Sequence, residues 1–370
     1  MKIAFIISTL SHGGAERVAS ILVNQWVVSS NDVYLLTFES PGTIPFYTID
    51  KRVELRQLDV LFNNKNFFHS IYNNLRRVRK IISEVDNIQP DVIISFMVET
   101  NILSILAARY SNIPVVVSER VHPMKHRIGI LRKYVRKLVY PFADAVVVQS
   151  EEIAKWVRKY ISKSCRVLAN PVDLERFTKS HNNSNVFKKE NIITAVGRLE
   201  RQKGFDVLVE AFNRIYRRFP NWQLEIYGSG SEEHNLLSLI KMHGLKEKVF
   251  LRGMTSDIAQ VFRRTDIFVS ASRFEGYPNA VLEALASGCC VIATDCPGAS
   301  REILQDGKYG VLISQDSPDE MADALAGLME DDTRRQGYAD NAQNAVSMLN
   351  AHKVAEQWLD IFRQLTLKKM

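Results

Sequence analysis

Ser272-Arg-Phe-Glu-Gly-Tyr-Pro-Asn-Ala-Val-Leu-Glu-Ala-Leu-Ala-Ser-Gly288 follows a β-type run, Asp266-Ile-Phe-Val-Ser270. Together they predict a strand, a loop and a helix in direct succession. Pro278 suits the first helical turn, where a missing N–H costs nothing, and Gly288 is placed to end the helix. Asn279 and Glu283, four apart, share one helix face, while Val281, Ala284 and Leu285 make the buried stripe. Glu275 thus belongs to a loop at a strand's C-terminal end. Glu283 projects from the helix about 7 Å further along, at 1.5 Å per residue. Between them fall the free N–H groups of the helix start, at Asn279, Ala280 and Val281, which favour phosphate. Two carboxylates able to accept from hydroxyls, set around an anion-binding helix end, suit a nucleotide sugar.

A single glutamate so placed is more often plain surface, so the whole string carries the reading. Glu275-Gly-x-Pro-x-x-x-x-Glu283 resembles the E-x7-E signature of retaining glycosyltransferases of family 4. The resemblance implies an α/β chain of GT-B architecture, in which two facing Rossmann-like domains with parallel sheets enclose an interdomain cleft. It also implies that Glu275 meets the donor sugar's hydroxyls and Glu283 the ribose.

Outward from this stretch, strand-like runs alternate with amphipathic helical runs, the pattern of open parallel α/β sheets. In the first half strands are expected at Ile3–Ser8, Val33–Phe38, Val92–Phe96, Val115–Ser118 and Ala145–Gln149, with helices near 15–29, 67–85, 100–110, 129–141 and 151–160. A polar stretch, Thr178 to Asn185, is the best linker candidate. The pattern then restarts at Ile192–Val196 and continues through Gln223–Tyr227, Val249–Leu251, Ile267–Ser270 and Val291–Thr294. Helices are expected there near 204–218, 231–243, 256–264 and 278–287. The expected division is an N-terminal acceptor and membrane domain over 1–180 and a nucleotide-sugar domain over 186–350. A last helix within 351–370 crosses back to the first domain, as the resemblance implies.

The first βα turn, Ser11-His-Gly-Gly-Ala-Glu-Arg17, is not G-x-G-x-x-G, so a dinucleotide fold gains little from it. Its paired glycines, Gly13 and Gly14, allow a ligand to approach the backbone at a helix start. The resemblance puts them against sugar and acceptor. Gly197-Arg198-Leu-Glu-Arg-Gln-Lys203-Gly204 resembles the family's G-R-x-x-x-x-K-G loop. Fixed cations stabilise the charge that develops on a departing nucleotide diphosphate, which marks Arg198 and Lys203 as catalytic candidates. No Asp-x-Asp occurs in the chain, so neither a divalent metal nor any other cofactor is expected to hold the diphosphate. Gly228, in Tyr227-Gly-Ser-Gly230, is expected to line the donor site, and Leu251-Arg-Gly-Met254 to hold the base through backbone groups. Val117-Ser-Glu-Arg-Val-His-Pro123 departs from the family pattern: Arg120 stands where many relatives have a histidine, and His122 comes two residues later. Either is a candidate to reach the donor's sugar and the acceptor. The four cysteines, Cys165, Cys289, Cys290 and Cys296, form neither a disulfide framework nor a zinc-ligand spacing and read as buried thiols.

The sequence pI of 9.1 conceals an asymmetry. Residues 1–180 hold 25 Lys and Arg against 16 Asp and Glu, while the remainder holds 23 against 25. The excess positive charge lies in the first half and points to an anionic partner there. Seven basic residues and no acidic ones fall between Arg120 and Lys137, interleaved with Ile128, Ile130, Leu131, Tyr134 and Val135. Such a stretch reads as a membrane-surface helix, with Arg132, Lys133, Arg136 and Lys137 outward, or as a packed helix with one solvated basic face. No nucleic-acid reader module is present. No apolar run approaches the ~20 residues that span a bilayer, and the opening reads as a strand and not as a signal peptide. The expectation is therefore a cytoplasmic protein, peripheral on the inner face of the membrane. By resemblance it moves a hexose or N-acetylhexosamine from a UDP-sugar, with retention, to a polyprenyl-diphosphate-linked glycan of a bacterial surface polysaccharide or glycoprotein. The alternatives are a GDP- or ADP-sugar enzyme with a soluble acceptor, and a non-catalytic protein that binds anionic polymers or membranes.

Overall fold

Near-continuous apolar runs such as Ile3-Ala-Phe-Ile-Ile7 are what strands need when both sheet faces are covered, and the computed structural model places them so. It describes residues 1–62, 67–121, 129–178 and 190–367, with no account of the side chains of Phe67 and Phe68. His122 and most of the polar 178–185 stretch lie outside the described residues. The chain divides into two compact units: Met1–Pro171 with Ala351–Met370, and Val172–Asn350.

The first unit is built on strands β1 (Lys2–Ile7), β2 (Asp32–Thr37), β3 (Glu54–Gln57), β4 (Val92–Phe96), β5 (Val115–Ser118), β6 (Ala145–Val148) and β7 (Cys165–Val167). They form a seven-stranded sheet ordered β3-β2-β1-β4-β5-β6-β7, every pair parallel. Alternate side chains of β1 enter two different cores. Ala4 and Ile6 join Ile93, Val115 and Val146 on one face, while Ile3, Phe5 and Ile7 join Trp26 and Phe96 on the other. The helix Ala351–Leu367 completes the second of these: Trp358 and Phe362 are sealed against Trp26, whose Nε1 donates to the Ala355 carbonyl at 3.1 Å.

The second unit holds β8 (Ile192–Val196), β9 (Gln223–Tyr227), β10 (Val249–Gly253), β11 (Ile267–Ser270), β12 (Cys290–Thr294) and β13 (Val311–Ile313). Its parallel sheet runs β10-β9-β8-β11-β12-β13. Strand order reverses between β1 and β4 in the first sheet and between β8 and β11 in the second. These are the points where connections leave in opposite directions and ligands bind beyond the strand ends.

Candidate active site

At the switch point of the second sheet, the loop after β8 and the loop after β11 run side by side. Beyond Gly197 the chain makes a short 3-10 turn at Arg201–Lys203, then Gly204, at φ +62°, opens the helix Phe205–Ile215. A Cβ on Gly204 would stand 2.1 Å from the Ala271 carbonyl oxygen, so glycine is required both by conformation and by the close approach of the neighbouring strand end. The two loops are tied by Gln202, which donates through Nε2 to the Phe274 carbonyl at 2.8 Å and accepts from Arg273 N at 2.8 Å. Arg273 reinforces this, donating to both carboxylate oxygens of Asp206 at 2.9 and 2.8 Å and to Asp316 at 2.6 Å.

This frame brings Lys203 to Glu275, with 2.6 Å between Nζ and Oε1. Ser272 Oγ donates to the same oxygen at 2.6 Å. Glu275 is 7% exposed and Glu283 5%. A carboxylate so deep is costly without donors around it, and Lys203 and Ser272 supply two. Arg198 remains exposed, with Nη2 3.4 Å from Gln202 Oε1. The helix Asn279–Ala286 starts one residue later than expected: Pro278 is its N-cap, at φ −76° and ψ 96°. Pro278's carbonyl accepts from Val281 N at 3.1 Å, so this N–H is already bonded within the turn. Gly228, at φ +143°, lies so close to Gly197 that a Cβ would meet its carbonyl oxygen at 1.8 Å.

Glu225, on β9, faces three donors that sequence reasoning did not assign to it. Arg252 and Arg264 reach Oε1 at 2.6 Å, and Tyr227 donates to Oε2 at 2.8 Å. Burial alone would raise this carboxyl, but hydrogen bonds from Arg264, Tyr227 and Arg252 outweigh it and hold it below the usual carboxylate range. The tyrosine moves the other way, pushed up to about 12 by its own burial and by Glu225.

In the first unit, Gly13 caps the helix Gly14–Val28 in an extended conformation, and a Cβ there would overlap the Glu16 carboxylate. Arg120 follows β5 and lies 3.9 Å over the Phe96 ring, donating to Asn170 Oδ1 at 3.1 Å. The helix Ile130–Val139 corrects one expectation. Arg136 does not face solvent: it is 3% exposed, 3.7 Å from Glu119 and 5.1 Å from the Trp156 ring centroid. Arg132 pairs with Glu99, which leaves Lys133 and Lys137 as exposed cations beside exposed Ile130, Leu131, Tyr134 and Leu138.

Comparison with known proteins bears on the family and the fold. A model described as Glycosyl transferases group 1 matches residues 176–345, and one described as Glycosyltransferase Family 4 matches residues 12–176. The chain belongs to glycosyltransferase family 4. A relative from Campylobacter jejuni, "GalNAc-alpha-(1->4)-GalNAc-alpha-(1->3)-diNAcBac-PP-undecaprenol alpha-1,4-N-acetyl-D-galactosaminyltransferase", is 25% identical over 366 residues and 99% of both chains. The fold of the family 4 transferase is that of solved GT-B structures. Sucrose-phosphate synthase from Thermosynechococcus elongatus matches with a TM-score of 0.87 at 19% identity over 100% of both chains. HepE from Anabaena, in complex with UDP, matches with a TM-score of 0.77 at 18% identity over 99% of this chain and 100% of that one.

Ser272, Gln202 and Arg273, which set the Lys203–Glu275 geometry in this transferase, were not singled out from sequence. Their signal was adjacency, since each lies within three residues of a quoted motif residue. The four cysteines are free and buried. Among the described residues no helix is long and apolar enough to cross a membrane.

Proposed function

We propose that this transferase moves a hexose or N-acetylhexosamine from a UDP-sugar to a polyprenyl-diphosphate-linked glycan, with retention of the donor's anomeric configuration and without a divalent metal. The observation that carries this reading is the Lys203–Glu275 pair, held with Ser272 at the strand ends of the second sheet's switch point. The pair keeps a cation and a carboxylate in place before substrate arrives. An incoming donor offers each a new partner, its diphosphate to Lys203 and a sugar hydroxyl to Glu275. Arg198 adds a second cation for the leaving diphosphate, where charge develops. Glu283 accepts from the ribose hydroxyls, and the helix start at Asn279 and Ala280 faces phosphate. Gly13, Gly14 and Arg120 serve the sugar and the acceptor. The UDP and lipid-linked acceptor assignments draw support from the bound UDP in HepE and from the name of the Campylobacter relative.

In the substitution, the acceptor hydroxyl oxygen bonds to the anomeric carbon as the bond from that carbon to the diphosphate oxygen breaks. The hydroxyl proton passes to the departing phosphate on the same face. Glu275, committed to hydroxyls and to Lys203, forms no glycosyl bond. The membrane reading extends this to location on the inner face of the cytoplasmic membrane, through the helix Ile130–Val139. Its exposed Ile130, Leu131, Tyr134 and Leu138 alongside Lys133 and Lys137 suit an anionic lipid surface.

The test is a donor screen of UDP-hexoses and UDP-N-acetylhexosamines against a polyprenyl-diphosphate-linked sugar, with the product's anomeric centre read by NMR. An α linkage from an α-linked UDP donor is expected. A β linkage, or transfer only from GDP- or ADP-sugars, would overturn the corresponding part of the reading.

A further inference from the structure

Arg120 leaves the C-terminal end of β5 with its guanidinium sunk against Phe96. Its Nη2 is sealed from solvent and has no hydrogen-bond partner among the described residues. Nη1 has a neutral acceptor, Asn170 Oδ1, and among the described residues no carboxylate pairs with the group. Glu119, one residue earlier, lies instead against Arg136. Two other deep guanidinium groups are better provided for: Arg335 bonds Asp332 and the Leu328 carbonyl, and Arg77 donates to Val60, Asn74 and Phe62. Arg136 leaves Nε and Nη1 without hydrogen bonds among the described residues, but unlike Arg120 it has a carboxylate, Glu119, at 3.7 Å. Burial pushes Arg120 down to about 9, and among the described residues no charge opposes the shift. An arginine stays protonated regardless, so the free protein bears the cost of a desolvated cation that a face-on aromatic ring offsets only in part.

The backbone beside it is strained as well. Met97, next to Phe96, holds φ at +75°, and its N–H donates to the Ser118 carbonyl at 3.3 Å, clamping the ends of β4 and β5 together. Strain of this kind is concentrated at ligand sites. An unpaired guanidinium fork fits one ligand class best, an oxyanion with two or more equivalent oxygens.

We infer that Arg120 is a receptor for a phosphoryl group of the substrates, taking its oxygens on the unpartnered edge of the guanidinium. This deepens, and rests on, the reading of the protein as a transferase of diphosphate-linked glycans. Two substrates carry such a group: the acceptor, in the diphosphate that joins glycan to lipid, and the donor. The residue as a whole keeps partial solvent exposure; the Nη2 edge itself is sealed, so binding there has to uncover it.

The experiment compares wild type, Arg120→Met and Arg120→Lys with two acceptors that share a terminal sugar, one on polyprenyl diphosphate and one on a neutral alkyl chain. Calorimetric titrations with UDP and with inorganic pyrophosphate run alongside. Loss of one charge-assisted contact corresponds to about 10- to 100-fold. In Arg120→Met, a rise of that size in KM for the diphosphate acceptor alone assigns Arg120 to the acceptor. A similar loss of UDP affinity, with acceptor discrimination unchanged, assigns it to the donor. Arg120→Lys should retain much of either effect. The melting temperature of Arg120→Met should hold or rise, since an unpaired buried charge has been removed. Equal impairment with both acceptors, unchanged UDP and pyrophosphate binding and a fall in melting temperature would make Arg120 structural and overturn the inference. If wild type transfers to neither acceptor, the functional reading fails by itself. Pyrophosphate binding then still decides: equal affinity in wild type and Arg120→Met overturns the phosphoryl receptor, and weaker binding in the variant upholds it.

Discussion

Lys203 and Glu275 lie 72 residues apart in sequence yet meet at 2.6 Å, from loops that leave the adjacent strands β8 and β11. Their side chains are only 19% and 9% exposed, so each charge relies on the other. Removing one partner strands the other in a poorly solvated place, at a cost of about 3–5 kcal/mol for a sealed pair and less here because Lys203 keeps some solvent. Lys203→Met and Glu275→Gln should therefore each destabilise the second unit, while the double variant recovers part of the loss. Urea unfolding of the four proteins should give a coupling of about 1–3 kcal/mol. Strict additivity would mean that the contact carries no energy.

Arg198 should behave differently although it sits in the same loop. It is exposed and has one long hydrogen bond, to Gln202, so the fold loses little without it. Arg198→Ala should leave stability within about 0.5 kcal/mol and lower kcat about 100-fold. Normal turnover in the Arg198/Lys203 double variant would remove both residues from the transition state.

Gly204 is where the fold and the site depend on one atom. Its left-handed φ leaves no room for a side chain, since a Cβ would stand 2.1 Å from the Ala271 carbonyl oxygen. Gly204→Ala should push the Lys203 turn away from β11, destabilise by more than about 1 kcal/mol, and reduce activity beyond what the stability loss explains. Activity measured well below the melting temperature separates the two effects. A variant with wild-type kcat would show that the turn adapts.

Much of this was legible because parallel strands and amphipathic helices leave strong periodic patterns. Ten strands, and the placing of Arg198, Lys203 and Glu275 in loops after β8 and β11, follow from apolar runs and from loop composition. Glu54–Gln57 escaped because an edge strand carrying Glu and Arg lacks an apolar run. Val311–Ile313 is simply short. The helix Pro318–Glu330 carried its own mark, Ser317 before Pro318 with Glu320 three residues on, and Ser317 Oγ does accept from Glu320 N. Arg136 was misplaced because a run of cations gives no sign of which one turns inward. Only the partners Glu119 and Trp156, distant in sequence, decide it. The Lys203–Glu275 contact was hidden for the same reason.

The Glu225 cluster predicts an acid-side stability term. Hydrogen bonds from Arg264, Tyr227 and Arg252 overcome burial and hold this carboxyl below its unfolded value, which is about 4.3. The ionised form is thus favoured in the folded state. Its contribution is fully present above about pH 4.3 and is lost as pH falls through the lower folded value. Chemical unfolding of wild type and Glu225→Gln should show the largest gap at neutral pH, narrowing below about pH 4. A gap independent of pH would show that the charge on Glu225 is not what binds the two arginines.

The helix Ile130–Val139 gives a prediction in which two kinds of basic residue part company. Lys133 and Lys137 are exposed beside Ile130, Leu131, Tyr134 and Leu138, whereas Arg136 is sealed between Glu119 and Trp156. Burial pushes the Glu119 carboxyl above the usual range, against the pull of Arg136 and a hydrogen bond from Tyr140, so loss of Arg136 leaves a buried acid without its cation. Lys133→Gln with Lys137→Gln should therefore weaken binding to anionic liposomes, by about 1 kcal/mol per charge near the surface, or roughly 30-fold for the pair, with no loss of melting temperature. Turnover on a short water-soluble acceptor should survive. Arg136→Gln should do the reverse, lowering the melting temperature and leaving liposome affinity, measured on the folded protein, close to wild type. Unchanged liposome binding in the double lysine variant would make this helix a solvated basic face and remove it from the membrane reading.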